Sequence, residues 1–353
     1  KVIRPSIKAQ VEKLKRKIES TDTCGDYLTY TLNGGTLTIS KAADGNGDMY
    51  DYVDNEAPWA LDKNSITSVK IENGVTSIGS GAFKDCVSLN SLEISNSVNS
   101  IKAQAFTNCN NLQSLTIPDS VASIKDNAFS NCISLTSVNL GRGLTSVSND
   151  VFSGCTALTS VELHSVQVLD AFETVFPSTQ ISSLTIGDVT EIPAEKFAEN
   201  FQLRSVNILG TVKTIGKGAF QYCYFLESLI IGEGVESIKD VAFQYCYRNL
   251  TSIVIPDSVT EIGYAAFFNC QSVTSLVIGS GVTSIDASAF RFNPVDDQIK
   301  LNAIALGNNY AISKFNDFFP PEVYPKILNI TLGDSVTSIA ENAFYGCSGL
   351  TEI

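Results

Sequence analysis

The feature that most constrains this chain is a fixed spacing. A phenylalanine, in most instances preceded by alanine, recurs at 83, 106, 129 and 152, then at 197, 220, 243, 267, 290 and 344. Gaps within 83–152 and within 197–290 are 23 residues, with a single 24. The stretch 112–132 shows the whole unit: Leu112-x-Ser-Leu-x-Ile117, a Pro118-Asp119 turn, Val121-x-Ser-Ile124, then a half-turn holding Ala128, Phe129 and Cys132. A period of this size belongs to a solenoid, in which one coil cannot bury its apolar face and needs neighbours above and below. At 353 residues the chain is long enough for two or three globular domains, but the repeat argues for one stacked body instead.

Alternation along each first strand places Ile66/Val69/Ile71, Leu89/Leu92/Ile94, Leu112/Leu115/Ile117 and their successors inward, to Ile327/Ile330/Leu332. Stacking these strands makes a parallel sheet with one buried and one exposed face. Residues 163–186 keep the period without the Ala-Phe-x-x-Cys signature and offer Phe172, Val175 and Phe176. Residues 291–326 hold one strand, Leu301-x-x-Ile304-x-Leu306, and a bulge rich in Phe, Asn and Pro.

Before the repeats, Tyr27–Leu32, Asn33-Gly34-Gly35 and Thr36–Ile39 read as a β-hairpin, which with Trp59 caps the open edge of the first coil. Asp44-Gly-Asn-Gly-Asp48 superficially resembles a calcium loop, but Met49 and Asn55 stand where that motif needs Gly and Glu, so a polar turn is expected. Residues 1–20 place Ile3, Ile7, Val11, Leu14 and Ile18 on one stripe of a basic amphipathic helix. That helix could pack on its own solenoid, dock a partner or lie on a membrane surface. The division expected is therefore 1–20 helix, 21–65 hairpin cap and 66–353 solenoid of about 12 coils. The last residues, Leu350–Ile353, open a further strand with no cap after it.

Eight of the nine cysteines fall three residues after the phenylalanine, and Asn200 and Asn293 take that place in two coils. Cys and Asn share small size and hydrogen-bonding ability rather than redox chemistry, so buried free structural thiols are expected. No CxxC pair occurs and His164 is the single histidine, which leaves too few ligands for catalytic zinc. Serine recurs as a repeat column and glycine as a turn column, so neither marks a nucleophile or a phosphate loop. No catalytic residue, metal ligand or cofactor is expected.

Net charge is −13; residues 1–20 contribute +5, so the remainder carries −18. A body this acidic repels phosphate backbones and argues against nucleic acid. No apolar run reaches about 18 residues, so no transmembrane segment is expected.

The columns Ser-Val-x-Ser-Ile-x-x-x-Ala-Phe-x-x-Cys-x-x-Leu-x-Ser-Leu-x-Ile resemble the leucine-rich repeat of BspA-like, or Treponema pallidum-type, surface proteins. Gly47-Asp-Met-Tyr-Asp-Tyr52 and Ala57-Pro-Trp59 are similar to the segment before the repeats in bacterial members. The resemblance covers about residues 24–353 and implies a right-handed, β-rich leucine-rich-repeat solenoid with its parallel sheet on the concave face. It also implies a secreted or cell-surface protein of a host-associated microbe, some members being adhesins towards host proteins.

Where a partner would bind is suggested by the outward strand column. It runs Lys70, Glu93, Thr116, Asn139, Glu162, Thr185, Asn207, then Ile230, Val254 and Val277. The half-turns of the same coils bring Tyr222, Tyr224, Tyr245, Tyr247 and Tyr264, with Phe225 and Phe268 open to a core reading. Tyrosine beside exposed aliphatic surface is a composition that interface hot spots favour. The expectation is a monomeric, non-catalytic adhesion module binding a host extracellular or cell-surface protein. The alternatives are a spacer projecting another domain, or an accessory to an enzyme whose chemistry lies elsewhere.

Overall fold

The computed structural model describes residues 23–42, 45–52, 56–177, 179–293 and 299–353. The helix expected over 1–20, and Asp44 and Asn55 of the calcium-like stretch, lie outside these. Two compact units appear, one up to Gln180 and one from Ile181.

In the first unit Leu28–Asn33 and Thr36–Lys41 pair antiparallel. Gly34 and Gly35 turn between them at φ 55° and 85°, a two-residue connection that needs left-handed backbone at both positions. Thr36–Lys41 then pairs in parallel with Ser68–Ile71, and that strand with Ser91–Ile94. Three further strands, Ser114–Ile117, Ser137–Leu140 and Ser160–Leu163, pair in parallel with like residues opposite like. Short strands Ser77–Ile78, Ser100–Ile101, Ser123–Ile124 and Ser146–Val147 form a second parallel sheet.

The second unit repeats this plan. Ser183–Ile186, Ser205–Ile208 and Ser228–Ile231 form one parallel set, and Ser252–Ile255, Ser275–Ile278, Ala303–Leu306 and Asn329–Leu332 another. Its short strands run from Glu191–Ile192 to Ser284–Ile285.

Phenylalanine makes a spine through each unit. Rings stack in the order Trp59, Phe83, Phe106, Phe129, Phe152 and Phe176, with centroids 5.0–5.6 Å apart. Phe197, Phe220, Phe243, Phe267 and Phe290 do the same at 5.2–5.4 Å. Five spine carbonyls, those of Phe83, Phe106, Phe197, Phe220 and Phe243, are satisfied twice. Phe83 O, for example, accepts the Cys86 amide at 3.2 Å and the Cys109 thiol of the next coil at 3.4 Å, filling both lone pairs of a buried acceptor. The same thiol-to-carbonyl bond recurs at Cys132, Cys155, Cys223, Cys246 and Cys270. All nine cysteines are free, eight of them buried.

The two irregular coils replace the short strand and half-turn with pairs of short helices, Val166–Asp170 with Phe172–Val175 and Asn309–Ser313 with Phe315–Phe318. Phe176 and Phe319 continue the spine there. The residue before each helix pair ties it to the preceding coil. Ser165 Oγ donates to Leu144 O at 2.7 Å, and the Asn308 amide donates to Ser280 O and Val282 O. Regular coils place a serine on that carbonyl column, as Ser120 does on Val98 O.

One expectation is corrected. The long-strand ladder is not continuous: Ser91–Ile94 and Ser114–Ile117 belong to separate sheets, as do Ser228–Ile231 and Ser252–Ile255. Both interruptions fall where the later strand ends in Ile-Pro, at Pro118 and Pro256. Elsewhere the residue after the strand donates back across the ladder, as Ser95 does to Ile71 O, Gly232 to Ile208 O and Gly307 to Ile278 O. Proline has no N–H to give. At these seams Leu92, Ile94 and Leu229, expected inside, are only half-buried.

Candidate functional site

Among the described residues no cluster of three metal-ligating side chains occurs, and no helix is long and apolar enough to cross a membrane. His164 Nε2 lies 2.9 Å from Glu162 Oε1, at the exit of its strand. Asn46 Nδ2 donates to Asp26 Oδ2, and Asp48 Oδ1 accepts Thr76 Oγ1, so this turn is tied to its neighbours through ordinary polar bonds.

The outward strand column does face solvent. Ile230 is 55% and Val254 51% exposed, whereas Val277 is half-buried. Val254, Val277 and Ala305 lie directly opposite one another in their sheet. Ile230 stands across the seam, on the strand paired with Asn207. The aliphatic stripe is therefore two patches on either side of an interruption.

Four of the five tyrosines form one network. Tyr222 stacks on Tyr245 at 5.2 Å, and Tyr245 meets Phe268 edge-on at 5.6 Å. A second column runs Phe201, Tyr224, Tyr247 at 5.3 and 5.0 Å. Tyr222 and Tyr224 join the columns at 5.9 Å. These four tyrosines are half-buried, as are Phe225 and Phe268, so neither phenylalanine is core. Burial, then the phenols of Tyr247 and Tyr222 and the Glu199 carboxylate, raise the Tyr224 phenol. Tyr264 stands apart, 58% exposed on the turn after Glu261–Ile262.

Backbone conformation adds a signal that sequence reasoning missed. The position before each repeat cysteine is left-handed, and in the first unit it holds Asp85, Asn108, Asn131 and Gly154 at φ 58–76°. These are residue types that tolerate that region. In the second unit Tyr222 and Tyr245 occupy it at φ 60° and 63°. A bulky side chain there costs about 1 kcal/mol or somewhat more. Val241, β-branched, takes a neighbouring left-handed position at φ 53°.

Sequence reasoning also missed two arginines. Arg204 Cζ and Arg248 Cζ lie 4.7 and 4.9 Å from the Phe225 ring centroid. Arg248 is also 5.6 Å from the Tyr247 ring. The available clue was spacing: Cys223 to Leu226 is three residues, but Cys246 to Leu250 is four. That extra residue accounts for the single 24-residue period and lies in the loop bearing Arg248.

The chain matches the family described as BspA type leucine rich repeat region over residues 59–172, 123–249, 170–296, 236–317 and 322–353. No curated protein matches it. Among solved structures it is similar to a leucine rich cell surface protein from Faecalibacterium prausnitzii, at 22% identity over 81% of this chain and 95% of that one, with a TM-score of 0.33. A leucine-rich repeat protein from Bacteroides ovatus is 21% identical over 94% of this chain and 82% of its own, TM-score 0.36. A T. pallidum leucine rich repeat protein is 21% identical over 59% and 96%, TM-score 0.32. These structural likenesses carry no functional argument.

Proposed function

Because the chain belongs to the BspA-type leucine-rich-repeat family, we propose that it is a non-catalytic protein-interaction module, binding through its strand face near residues 222–277. A repeat body whose described residues bring together no metal-ligating cluster can still act by displaying surface, and this is the stretch where its surface departs from the repeat. The observation that carries the reading is the exposure of Ile230 and Val254 in a column that is polar from Lys70 to Asn207. Outward aliphatic side chains contribute nothing to the spine, and the half-buried tyrosines beside them supply rigid area with a polar tip. Tyr222, Tyr224, Tyr245 and Tyr247 would form the aromatic part of the contact, Ile230, Val254 and Val277 the aliphatic part, and Tyr264 an outlying contact.

Adhesion at a cell surface, or secretion, is the setting that membership in this family implies, with a host extracellular or surface protein as partner and a monomer as the binding form. The hairpin segment 21–65 serves as the cap and 66–353 as the repeat body. The test compares the parent with Ile230→Lys/Val254→Lys/Val277→Lys in capture from host extracellular and cell-surface protein, with circular dichroism confirming that the variant folds. The expected result is a partner held by the parent and lost by the folded variant. Equal capture by both removes this face as the site, and no capture by the parent leaves the spacer reading in its place.

A further inference from the structure

Residues 23–353 contain four arginines, at 142, 204, 248 and 291, and two of them stand over one ring. Arg204 is committed. Its Nη1 donates to the carbonyls of Phe201, Gln202 and Leu203, and its Nε lies 3.8 Å from Glu227 Oε1. Glu227 also accepts the Asn249 side-chain amide at 3.3 Å.

Arg248 is different. Its backbone N–H donates to Tyr224 O at 3.2 Å and its carbonyl accepts Ser272 Oγ at 2.8 Å, so the main chain is held from both neighbouring coils. Its exposed guanidinium rests on Phe225 and Tyr247 and makes no ion pair among the described residues. Stacking on aromatic faces orients a guanidinium while leaving its in-plane N–H donors free for a carboxylate. Ordering those donors before binding removes an entropy cost that a mobile lysine would carry.

Resting on the interaction reading above, we infer that Arg248, seated on Phe225 and Tyr247, takes the carboxylate of an Asp or Glu side chain in an otherwise apolar partner segment. The aliphatic part of that segment has its place: Val254 lies six residues beyond Arg248 on the same chain, at most about 20 Å away. A single carboxylate fits this setting better than a polyanion, because the surrounding body carries strong net negative charge and repels extended anionic chains.

The probe is a random 12-residue peptide library displayed on phage, panned against the full chain and against folded Arg248→Gln. Peptides enriched on the parent are expected to share an Asp or Glu about five or six positions from Ile, Leu or Val. A synthetic version should bind Arg248→Gln about tenfold more weakly, with Arg248→Lys in between. Changing its acid to the amide should cost the parent the same factor and cost Arg248→Gln nothing further. Enriched peptides without an acid, or bound equally by Arg248→Gln, overturn the inference and leave the interaction reading standing. Enrichment of no peptide on the parent overturns the inference, and the capture assay alone then decides the interaction reading. Retention on heparin that Arg248→Gln alone abolishes, without selected acidic peptides, assigns the arginine to a sulfated polymer and also overturns it.

Discussion

Residues 83–155 and 197–270 are built on one scaffold and finished differently. Both carry the ring spine and the thiol-to-carbonyl bond. At the left-handed position before the cysteine, however, the earlier coils place a polar ladder. Lys63 Nζ lies 3.2 Å from Asp85, which accepts the Asn108 amide at 2.7 Å. Burial opposes ionisation of Asp85, but the Asn108 amide and the Lys63 ammonium outweigh it and hold its carboxyl below the usual range. In the later coils the same position points two tyrosines into a ring network. The scaffold tolerates either decoration, and only one of them bears a conformational cost. Strain that the fold does not need is a physical reason to look for function there.

The largest effect should be the same in both regions. Phe129→Ala and Phe243→Ala each remove a fully buried ring stacked on both faces, at a cost of roughly 3–5 kcal/mol in denaturant unfolding. A clear difference between the two would break the claim of a common spine.

Alkaline unfolding is the next comparison. Burial pushes the Cys86 and Cys223 thiols up to about 12. A thiol raised in the folded state contributes stability that is intact below its unfolded value of about 8.5 and is lost as pH rises towards the folded value. Both regions should therefore weaken above about pH 9, and Cys86→Ala or Cys223→Ala should each lower the slope by up to about 1.4 kcal/mol per pH unit. A pH titration of unfolding midpoints reads this directly.

Exchanging the decoration gives a smaller effect of opposite character. Asn131→Tyr, at φ 58°, takes on the left-handed penalty without a ring ladder to meet and should cost about 1 kcal/mol. Tyr245→Asn relieves that penalty but loses contacts to Tyr222 and Phe268, so its stability should change by less than about 0.5 kcal/mol while partner binding falls. Thermal unfolding of the pair, beside the capture assay, separates the two roles.

The smallest effect concerns the seam. Pro256→Gly restores an N–H that can reach Ile231 O, and amide hydrogen exchange should show added protection at Val254. Global stability should move by less than about 0.5 kcal/mol, because glycine's extra freedom in the unfolded chain offsets the new bond. Unchanged protection would mean that proline is not the cause of the interruption.

Much of this architecture is legible in the residues because a single period places Phe, Cys, Ser and the inward aliphatics at once. The hairpin is equally legible from Asn33-Gly-Gly35. The helices at 166–175 and 309–318 are not, since elements of four or five residues are too short for helical periodicity to register. Tyr222 and Tyr245 hide their backbone conformation because left-handed turns are normally read from Gly or Asn. Arg204 sits in a column whose residue type varies from coil to coil and Arg248 in the loop with the extra residue, and their meeting over Phe225 depends on three successive coils. The seams could have been anticipated from Ile117-Pro118 and Ile255-Pro256, the long strands here that end in proline.

The seam before Ser252–Ile255 thins one junction of the second unit, where the long-strand ladder stops while the short-strand sheet and the ring spine carry on. In a stack coupled only between neighbours, cooperativity is as strong as its weakest junction. Local opening that begins among the strands from Ser252 onward can stop at that junction, leaving Ser183–Ile231 folded. Ile230 and Val254 sit on opposite banks of it, so anything that grips both would act as a suture. Binding would then be read not only as affinity but as two half-coupled blocks beginning to melt as one.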